Sequence, residues 1–186
     1  TSVTVHLVST TPLFNRNALP HSLSFSLNRS AAASISASDF VLTNLTTGQV
    51  IPAGDLQVQA SGAFANVVLT YLPGRLPDGN YQLTVAAADI SLPSGQTLQA
   101  PISSLFAFKL GDVTGDGAVD FDDLLILSQN YGQNGRTYSQ GDLDYSGTVD
   151  FDDLLTLAQR YGTSLAVTPT TRSNKSRSEV SSVLEA

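Results

Sequence analysis

The chain has 186 residues, a formal net charge of -7 and 41% hydrophobic residues, which is enough for one ordinary domain or two small ones with a real core. It has no Cys, which excludes disulfides and thiolate metal sites, and no apolar run long enough to span a membrane. It also has no Met, so we expect that a leader was removed or that the chain is a fragment of something longer.

The negative charge is concentrated in one stretch. Residues 1–110 carry four acids and four bases, whereas residues 111–162 carry ten Asp and two Arg, a net charge of -8. Residues 163–186 have a net charge of +1. Carboxylates at this density repel one another unless cations neutralise them, and no basic stripe is present that would bind nucleic acid. We therefore expect a cation-binding segment and no nucleic-acid partner.

Up to residue 110, short segments alternate between apolar and polar residues, which is typical of β-strands. Turn signals such as LPDGN at 76–80 separate these segments at intervals of roughly 8–12 residues, as in antiparallel sandwiches. The predicted strands are 2–9, 21–30, 40–45, 48–52, 56–60, 64–71, 81–87 and 102–110. The sequence therefore predicts a mainly β chain whose first part is an immunoglobulin-like (Ig-like) antiparallel β-sandwich. The junction at 109–111 is so short that we expect the acidic stretch to have a fixed orientation against the sandwich.

The acidic stretch contains nearly the same sequence twice. GDVTGDGAVDFDDLLILSQNYG at 111–132 returns as GDLDYSGTVDFDDLLTLAQRYG at 141–162. Alternating acids and glycines before a helical pattern are a metal-site signature. Two copies in register favour a metal site over a solvated acidic turn.

Each copy supplies the ligands of a twelve-residue calcium loop. Such a loop offers oxygens from positions 1, 3, 5, 7, 9 and 12, with Gly at position 6 for the sharp turn. In the first loop the predicted ligands are Asp112, Thr114, Asp116, the Ala118 carbonyl, Asp120 and Asp123. In the second loop they are Asp142, Asp144, Ser146, the Thr148 carbonyl, Asp150 and Asp153. The sequence therefore predicts two bound calcium ions, which would be needed for this segment to fold.

Two features accompany each loop. Val119 and Val149 stand at position 8, where we expect the side chain to pack and the backbone to pair with the opposite loop. A small α module is expected from the helices predicted to begin at Phe121 and Phe151, each with one apolar side. These sides hold Phe121, Leu124, Leu125 and Ser128 in the first copy, and Phe151, Leu154, Leu155 and Ala158 in the second.

The repeat pair resembles a type I dockerin, with GDxxGDGxVDxxDLLxL at residue 111 and its partner at residue 141. As in dockerins, the loops lack an entering helix and close with Asp, at Asp123 and Asp153. Thr114 and Ser146 replace the usual Asp or Asn, which lowers the ligand charge. LPDGNYQLTV at 76–85 and the layout ending FAFKLGDVTGDG at 106–117 resemble the Ig-like and dockerin ends of large secreted bacterial proteins, notably of planctomycetes.

The dockerin resemblance implies a protein partner, a cohesin, which is a β-sandwich receptor gripped by the dockerin helices. Cellulosomal dockerins often use a Ser-Thr pair at positions 10 and 11, where this chain has Phe121-Asp122 and Phe151-Asp152. This difference points away from a cellulosomal cohesin. The internal symmetry leaves open two binding orientations related by a half turn.

A second copy of the chain is the other expected partner. Residues 164–167 (SLAV) could add to a sheet edge, and Val180, Val183 and Leu184 have a helical apolar spacing. A strand donated to a neighbouring copy makes a head-to-tail contact, which gives filaments when it does not close. The predicted organisation is thus a sandwich at 1–110, a calcium module at 111–162 and a tail at 163–186.

The remaining residues suggest no catalytic set. His6 and His21 are distant in sequence from the acidic stretch and are expected on the surface or in packing roles. Phe64, Tyr71 and Tyr81 are expected to pack in the core or across strands, with a carbohydrate-binding face as the alternative.

The expected protein is therefore a non-enzymatic, extracellular or cell-surface assembly protein, because millimolar calcium suits loops with weakened ligands. The alternative is a carbohydrate-binding accessory module of a secreted glycan-degrading enzyme, anchored to a cohesin by the dockerin-like repeats.

Overall fold

The computed structural model describes residues 12–28, 35–61, 66–90 and 97–166. Within these ranges, two four-stranded antiparallel sheets, with strand orders β1-β2-β6-β5 and β4-β3-β7-β8, are followed by two α-helices. The strands are β1 (Leu13–Asn15), β2 (Ser22–Ser26), β3 (Val41–Asn44), β4 (Gln49–Val50), β5 (Leu56–Ser61), β6 (Asn66–Tyr71), β7 (Gly79–Val85) and β8 (Ile102–Phe108). The helices are α1 (Phe121–Asn130) and α2 (Phe151–Arg160).

The core forms where the apolar faces of the two sheets meet. Alternate residues are buried along β2 and β7, because successive side chains of a strand point to opposite faces. Leu23 pairs with Leu69 in one sheet, Leu42 pairs with Leu83 in the other, and all four side chains are buried. The prediction of a mainly β chain with two antiparallel sheets and two short helices is confirmed.

Several strand boundaries differ from the prediction. The predicted strand at 2–9 lies outside the described residues, as do residues 29–30 and 64–65 of two others. The edge strand β1 has only three residues and no alternating pattern long enough to predict it. The strand β7 begins at Gly79, two residues before the predicted start, where it pairs with Phe108 and where a Cβ would overlap the Asn44 side chain.

The helices begin at the predicted residues, and an aspartate caps each one. The side chains of Asp120 and Asp150 each accept a hydrogen bond of 2.9 Å from the backbone two residues ahead, which satisfies a free donor of the first turn. The predicted apolar sides face outward only in part: Phe121 is 62% and Phe151 63% exposed, whereas Leu124 and Leu154 are half-buried and pack against the core. The fully buried residues of the helices are Asp123 and Leu127 in α1, with Asp153 and Leu157 in α2.

Hydrogen bonds hold the short junction between sandwich and repeats on both sides. The Tyr138 hydroxyl donates to the Lys109 carbonyl at 2.6 Å and accepts from the Gly111 amide at 3.0 Å. Asp78, at the start of β7, accepts from the Leu110 amide at 2.9 Å and pairs with Arg160 of α2 at 2.8 Å. These contacts supply the fixed orientation that a short junction predicts.

Candidate metal centre

Each acidic loop winds around the carboxylate at its first position. The Gly117 amide donates to Asp112 Oδ2 at 2.8 Å, and the Gly147 amide donates to Asp142 Oδ2 at 3.0 Å. These two glycines have φ values of 91° and 85°, a region that side chains disfavour. Glycine at position 6 therefore produces the sharp turn that the loop pattern requires.

The carboxylate at the last position of each loop ties the loop's ends together. Asp123 accepts from the Val113 and Asp120 amides, both at 2.9 Å, through different oxygens. Asp153 repeats this with the Leu143 amide at 2.7 Å and the Asp150 amide at 2.9 Å. Because each ionised carboxylate oxygen can accept more than one partner, these bonds leave capacity for a cation.

The second loop brings three carboxylates together. Asp142, Asp144 and Asp153 each offer an oxygen within 4.8 Å of the other two. Asp142 is 3% exposed, and its Oδ1 is buried with no hydrogen-bond donor among the described residues. Burial and the facing carboxylates of Asp144 and Asp153 raise the pKa of Asp142 above its ordinary value. Burial likewise raises the pKa of Asp153.

A divalent cation with oxygen ligands fits this cluster. An unsatisfied buried carboxylate oxygen is unfavourable, and so is the mutual repulsion of three clustered acids. A calcium ion would satisfy the first and neutralise the second, and it prefers carboxylate, hydroxyl and carbonyl oxygens. Bound there, it would take ligands from both ends of the loop.

The first loop is arranged differently. Asp112 Oδ1 accepts from the Thr114 hydroxyl at 3.1 Å and from the Gly115 amide. The Thr114 carbonyl accepts from Arg16 Nη2 of the sandwich at 3.1 Å. Among the described residues, this loop shows no equivalent group of three acids whose oxygens lie within 4.8 Å of one another. Both oxygens of the Asp112 carboxylate therefore already accept hydrogen bonds from the loop itself.

The other predicted ligands lie at the rims of the loops. Asp116 accepts from the Ala118 amide at 2.9 Å, while Asp120 and Asp150 are exposed and cap the helices. Ser146 Oγ accepts from the Thr148 amide and donates to its carbonyl, both at 3.2 Å. The structure therefore gathers part of the predicted set and leaves these oxygens bonded to their own loops.

The two repeats exchange backbone hydrogen bonds: each loop pairs with the segment that follows the helix of the other repeat. The Val119 amide donates to the Thr163 carbonyl at 2.9 Å, and the Val149 amide donates to the Gln133 carbonyl at 3.1 Å. The expectation that these positions pair with the opposite loop is therefore wrong, because each pairs with the segment leaving the opposite helix. Both valine side chains are fully buried, as expected.

The exchange extends beyond residue 162 into the predicted tail. The Leu165 amide donates to the Gly117 carbonyl at 2.8 Å, and Ser164 forms a β-bridge with Ala118. The Ala166 carbonyl accepts from the Asn80 side chain of the sandwich at 2.8 Å. The first residues of the proposed edge strand are thus paired within their own chain, and residues 167–186 lie outside the described ranges.

A histidine–tyrosine pair links the second loop to the sandwich, which the sequence reasoning missed. His21 Nε2 lies 2.8 Å from the Tyr145 hydroxyl, and His21 Nδ1 accepts from the Leu76 amide at 3.1 Å. The hydroxyl in turn donates to the Arg16 carbonyl at 3.1 Å. Burial and the charge of Arg75 lower the pKa of His21 to about 4. His21 is therefore a neutral packing residue that also contacts the acidic stretch.

The outer sides of the two helices form an apolar surface. Phe121, Leu125 and Tyr131 of the first repeat are 62%, 43% and 49% exposed, and Phe151, Leu155 and Tyr161 of the second are 63%, 45% and 49% exposed. A groove of about 460 Å³ runs along α1 to Leu154 of α2. The two repeats thus expose matching apolar side chains on their helices.

The described residues do not favour a carbohydrate-binding aromatic face. Tyr81 is fully buried, stacks on Phe106 and donates to the Pro77 carbonyl at 2.6 Å, while Tyr71 is half-buried. Phe64 and His6 lie outside the described residues. Within the described ranges, neither helix has the length and hydrophobicity needed to cross a membrane.

No protein-family model and no curated protein matches this chain. A solved structure, native alpha-2-macroglobulin from Escherichia coli spanning domains MG0-NIE-MG1, is similar over 57% of this chain and 32% of its own, with 9% identity and a TM-score of 0.41. The chain thus spans about a third of that structure. A likeness at this level indicates neither a shared fold nor a shared function.

Proposed function

We propose that this chain is a non-catalytic, extracellular calcium-binding assembly protein, in which a dockerin-like module is fused to an Ig-like sandwich. Two calcium ions fold the module, one in each acidic loop. The folded helices then present an apolar surface to another protein. The observation that carries this proposal is a cluster of three carboxylates in which the buried Asp142 Oδ1 has no hydrogen-bond partner in the described part of the chain.

The position of the ligands explains how calcium would produce a docking surface. Asp123 and Asp153 sit in the first turns of α1 and α2 and bond the start of each loop. An ion held by these carboxylates would fix each helix against its loop. The exposed apolar residues on the outer helix faces would then hold constant positions, which lowers the entropic cost of binding a partner.

The partner we propose is a protein with an apolar, β-rich surface, either a cohesin-like sandwich or a second copy of this chain. The sandwich itself offers such surfaces, because the edge strands β1, β4 and β8 expose Leu13 at 70%, Val50 at 54% and Leu105 at 55%. Sheet edges that are unpaired among the described residues can accept added strands, whereas apolar helices dock on apolar side chains.

Calcium calorimetry combined with sedimentation tests this function. We expect two ions per wild-type chain, one ion for Asp144→Ala, and calcium-dependent association that is weakened by this substitution. Asp152→Ala is the matched control, because it removes an exposed aspartate of the same repeat that is not among the predicted ligands. Wild-type protein that binds no calcium would overturn the proposal. A monodisperse monomer at high concentration in calcium would exclude a second copy as the partner.

A further inference from the structure

We propose that the two calcium sites are unequal, and that Arg16 of the sandwich is a built-in counter-cation that weakens the first. This inference rests on the proposed calcium function and adds how the affinity of each site is set. On this view the second loop fills first, and the first loop responds only at higher calcium concentrations.

The position of Arg16 carries the inference. Its Nη2 donates to the Thr114 carbonyl at 3.1 Å, inside the first loop. Its guanidinium also lies against the backbone of Gly115, where a Cβ would overlap it. Thr114 and Gly115 are positions 3 and 4 of the loop, so a fixed positive charge stands beside the ligands. A divalent ion entering this loop meets electrostatic repulsion, which is strong where water screens poorly.

At the same position of the second loop, the group in direct contact is neutral, although the charges of Arg75 and Arg16 also act on this residue. Tyr145 stands where the first loop has Gly115, and its hydroxyl contacts His21, whose lowered pKa keeps it uncharged at neutral pH. The charges that act on Asp142 are those of Asp144 and Asp153, which are both negative. The second site thus brings three carboxylates together. In the first site the Asp112 carboxylate accepts a hydrogen bond from its own Thr114, and Arg16 places a positive charge on the carbonyl of that residue.

The backbone carbonyl of Arg16 makes its own contact with the second loop, so the effect of the side chain can be tested separately. Its carbonyl accepts from Tyr145 at 3.1 Å, a contact that a side-chain substitution retains. Arg16→Gln therefore removes the charge without removing the backbone bond to the second loop. Arg75→Gln is the matched control, since Arg75 is an exposed arginine of the same sandwich. Arg75 and Arg16 both act electrostatically on Tyr145, whereas the hydrogen bond to the first loop belongs to Arg16.

Nuclear magnetic resonance can follow the two sites separately during a calcium titration of the intact chain. The Gly117 and Gly147 amides each bond the first carboxylate of their own loop, so each signal reports one site. In wild-type protein we expect the Gly147 signal to shift at lower calcium than the Gly117 signal. Arg16→Gln should tighten the first site about tenfold, the direction expected on removing a repelling charge, and change the second by less than about twofold. Arg75→Gln should leave the Gly117 midpoint unchanged.

Other results of this titration would distinguish a failure of the unequal-site proposal from a failure of calcium binding itself. Equal midpoints in wild type, or an unchanged Gly117 midpoint in Arg16→Gln, would overturn the unequal-site proposal while leaving calcium binding intact. If neither glycine responds to millimolar calcium, the proposed calcium function itself fails. Unchanged signals from buried β7 residues such as Leu83 would show that each variant is folded.

Discussion

Tyr145 is the residue at which the two halves of the molecule are most directly joined. It has a φ of 65°, a backbone conformation that costs roughly 1 kcal/mol or more for a residue with a side chain. Its ring stacks on Tyr138, with ring centres 5.5 Å apart, and its hydroxyl reaches His21 and the Arg16 carbonyl. These contacts offset the strained backbone, which the first loop avoids by having glycine at the same position.

His21 gives this junction a pH dependence. Its pKa is lowered to about 4 in the folded protein, so the unfolded chain binds more protons between that value and 6.5. The stability that neutral His21 contributes is therefore complete above about pH 6.5 and is lost as the pH falls toward 4. We expect wild type to lose roughly 2 kcal/mol more stability than His21→Gln between pH 7 and pH 5.

Urea denaturation of both proteins at the two pH values, at the same saturating calcium concentration, measures this difference, because calcium is expected to keep the second loop folded against His21. The raised pKa values of Asp142 and Asp153 are common to both proteins, as is calcium binding, so their effects cancel. A pH slope that is the same with and without His21 would contradict the assignment of His21 as a buried neutral base.

At the scale of elements, the exchanged pairing makes each repeat depend on the other. The segment after α1 pairs with the second loop, and the segment after α2 pairs with the first. Neither loop therefore has its backbone partner within its own repeat. This exchange gives a physical reason for the duplication, since a single copy would leave the buried valine position unpaired.

Proline substitutions test this exchange, because a change after one helix should affect the loop of the other repeat. Leu165→Pro removes the amide that bonds the Gly117 carbonyl, and Arg136→Pro removes the amide that bonds the Gly147 carbonyl. Losing one hydrogen bond costs about 1 kcal/mol, which should weaken calcium binding about fivefold. Leu165→Pro should weaken the first loop, and Arg136→Pro should weaken the second. The Gly117 and Gly147 amide titrations measure both sites in each variant. Weaker binding confined to the second loop in Leu165→Pro, or confined to the first loop in Arg136→Pro, would contradict the exchange.

The local elements are predictable from the sequence because their signals are local. Glycine at position 6, aspartate at the helix start and alternation along β2 and β7 each act over a few residues. The exchanged pairing has no local signature, so the loop pattern alone predicts the wrong partner for Val119. Likewise, the helical spacing of Phe121 and Leu125 places them on one side of α1, but spacing alone does not show whether that side faces the core or solvent.

At the scale of the whole molecule, long-range contacts lock the sandwich to the repeats. His21 and Tyr145 are 124 residues apart in sequence, and Asp78 and Arg160 are 82 apart, so neither pair could be read from a local pattern. Asp78 also lies 3.9 Å from Lys109, whose side chain is almost fully buried and needs a nearby negative charge. Side chains of the sandwich therefore hold the acidic module in place through hydrogen bonds and ion pairs.

This organisation predicts that calcium stabilises the two halves unequally. Most residues of the hydrophobic core belong to the sandwich, whereas residues 111–162 carry a net charge of -8, which opposes folding unless cations neutralise the carboxylates. Removal of calcium should therefore unfold the helices and leave the sheets in place.

Far-ultraviolet circular dichroism of the intact chain, with calcium and then with excess chelator, is the most direct measurement. We predict that chelator abolishes the helical signal of α1 and α2, retains the β signal, and is reversed by added calcium. An identical spectrum with and without chelator would contradict the claim that calcium folds the repeated module.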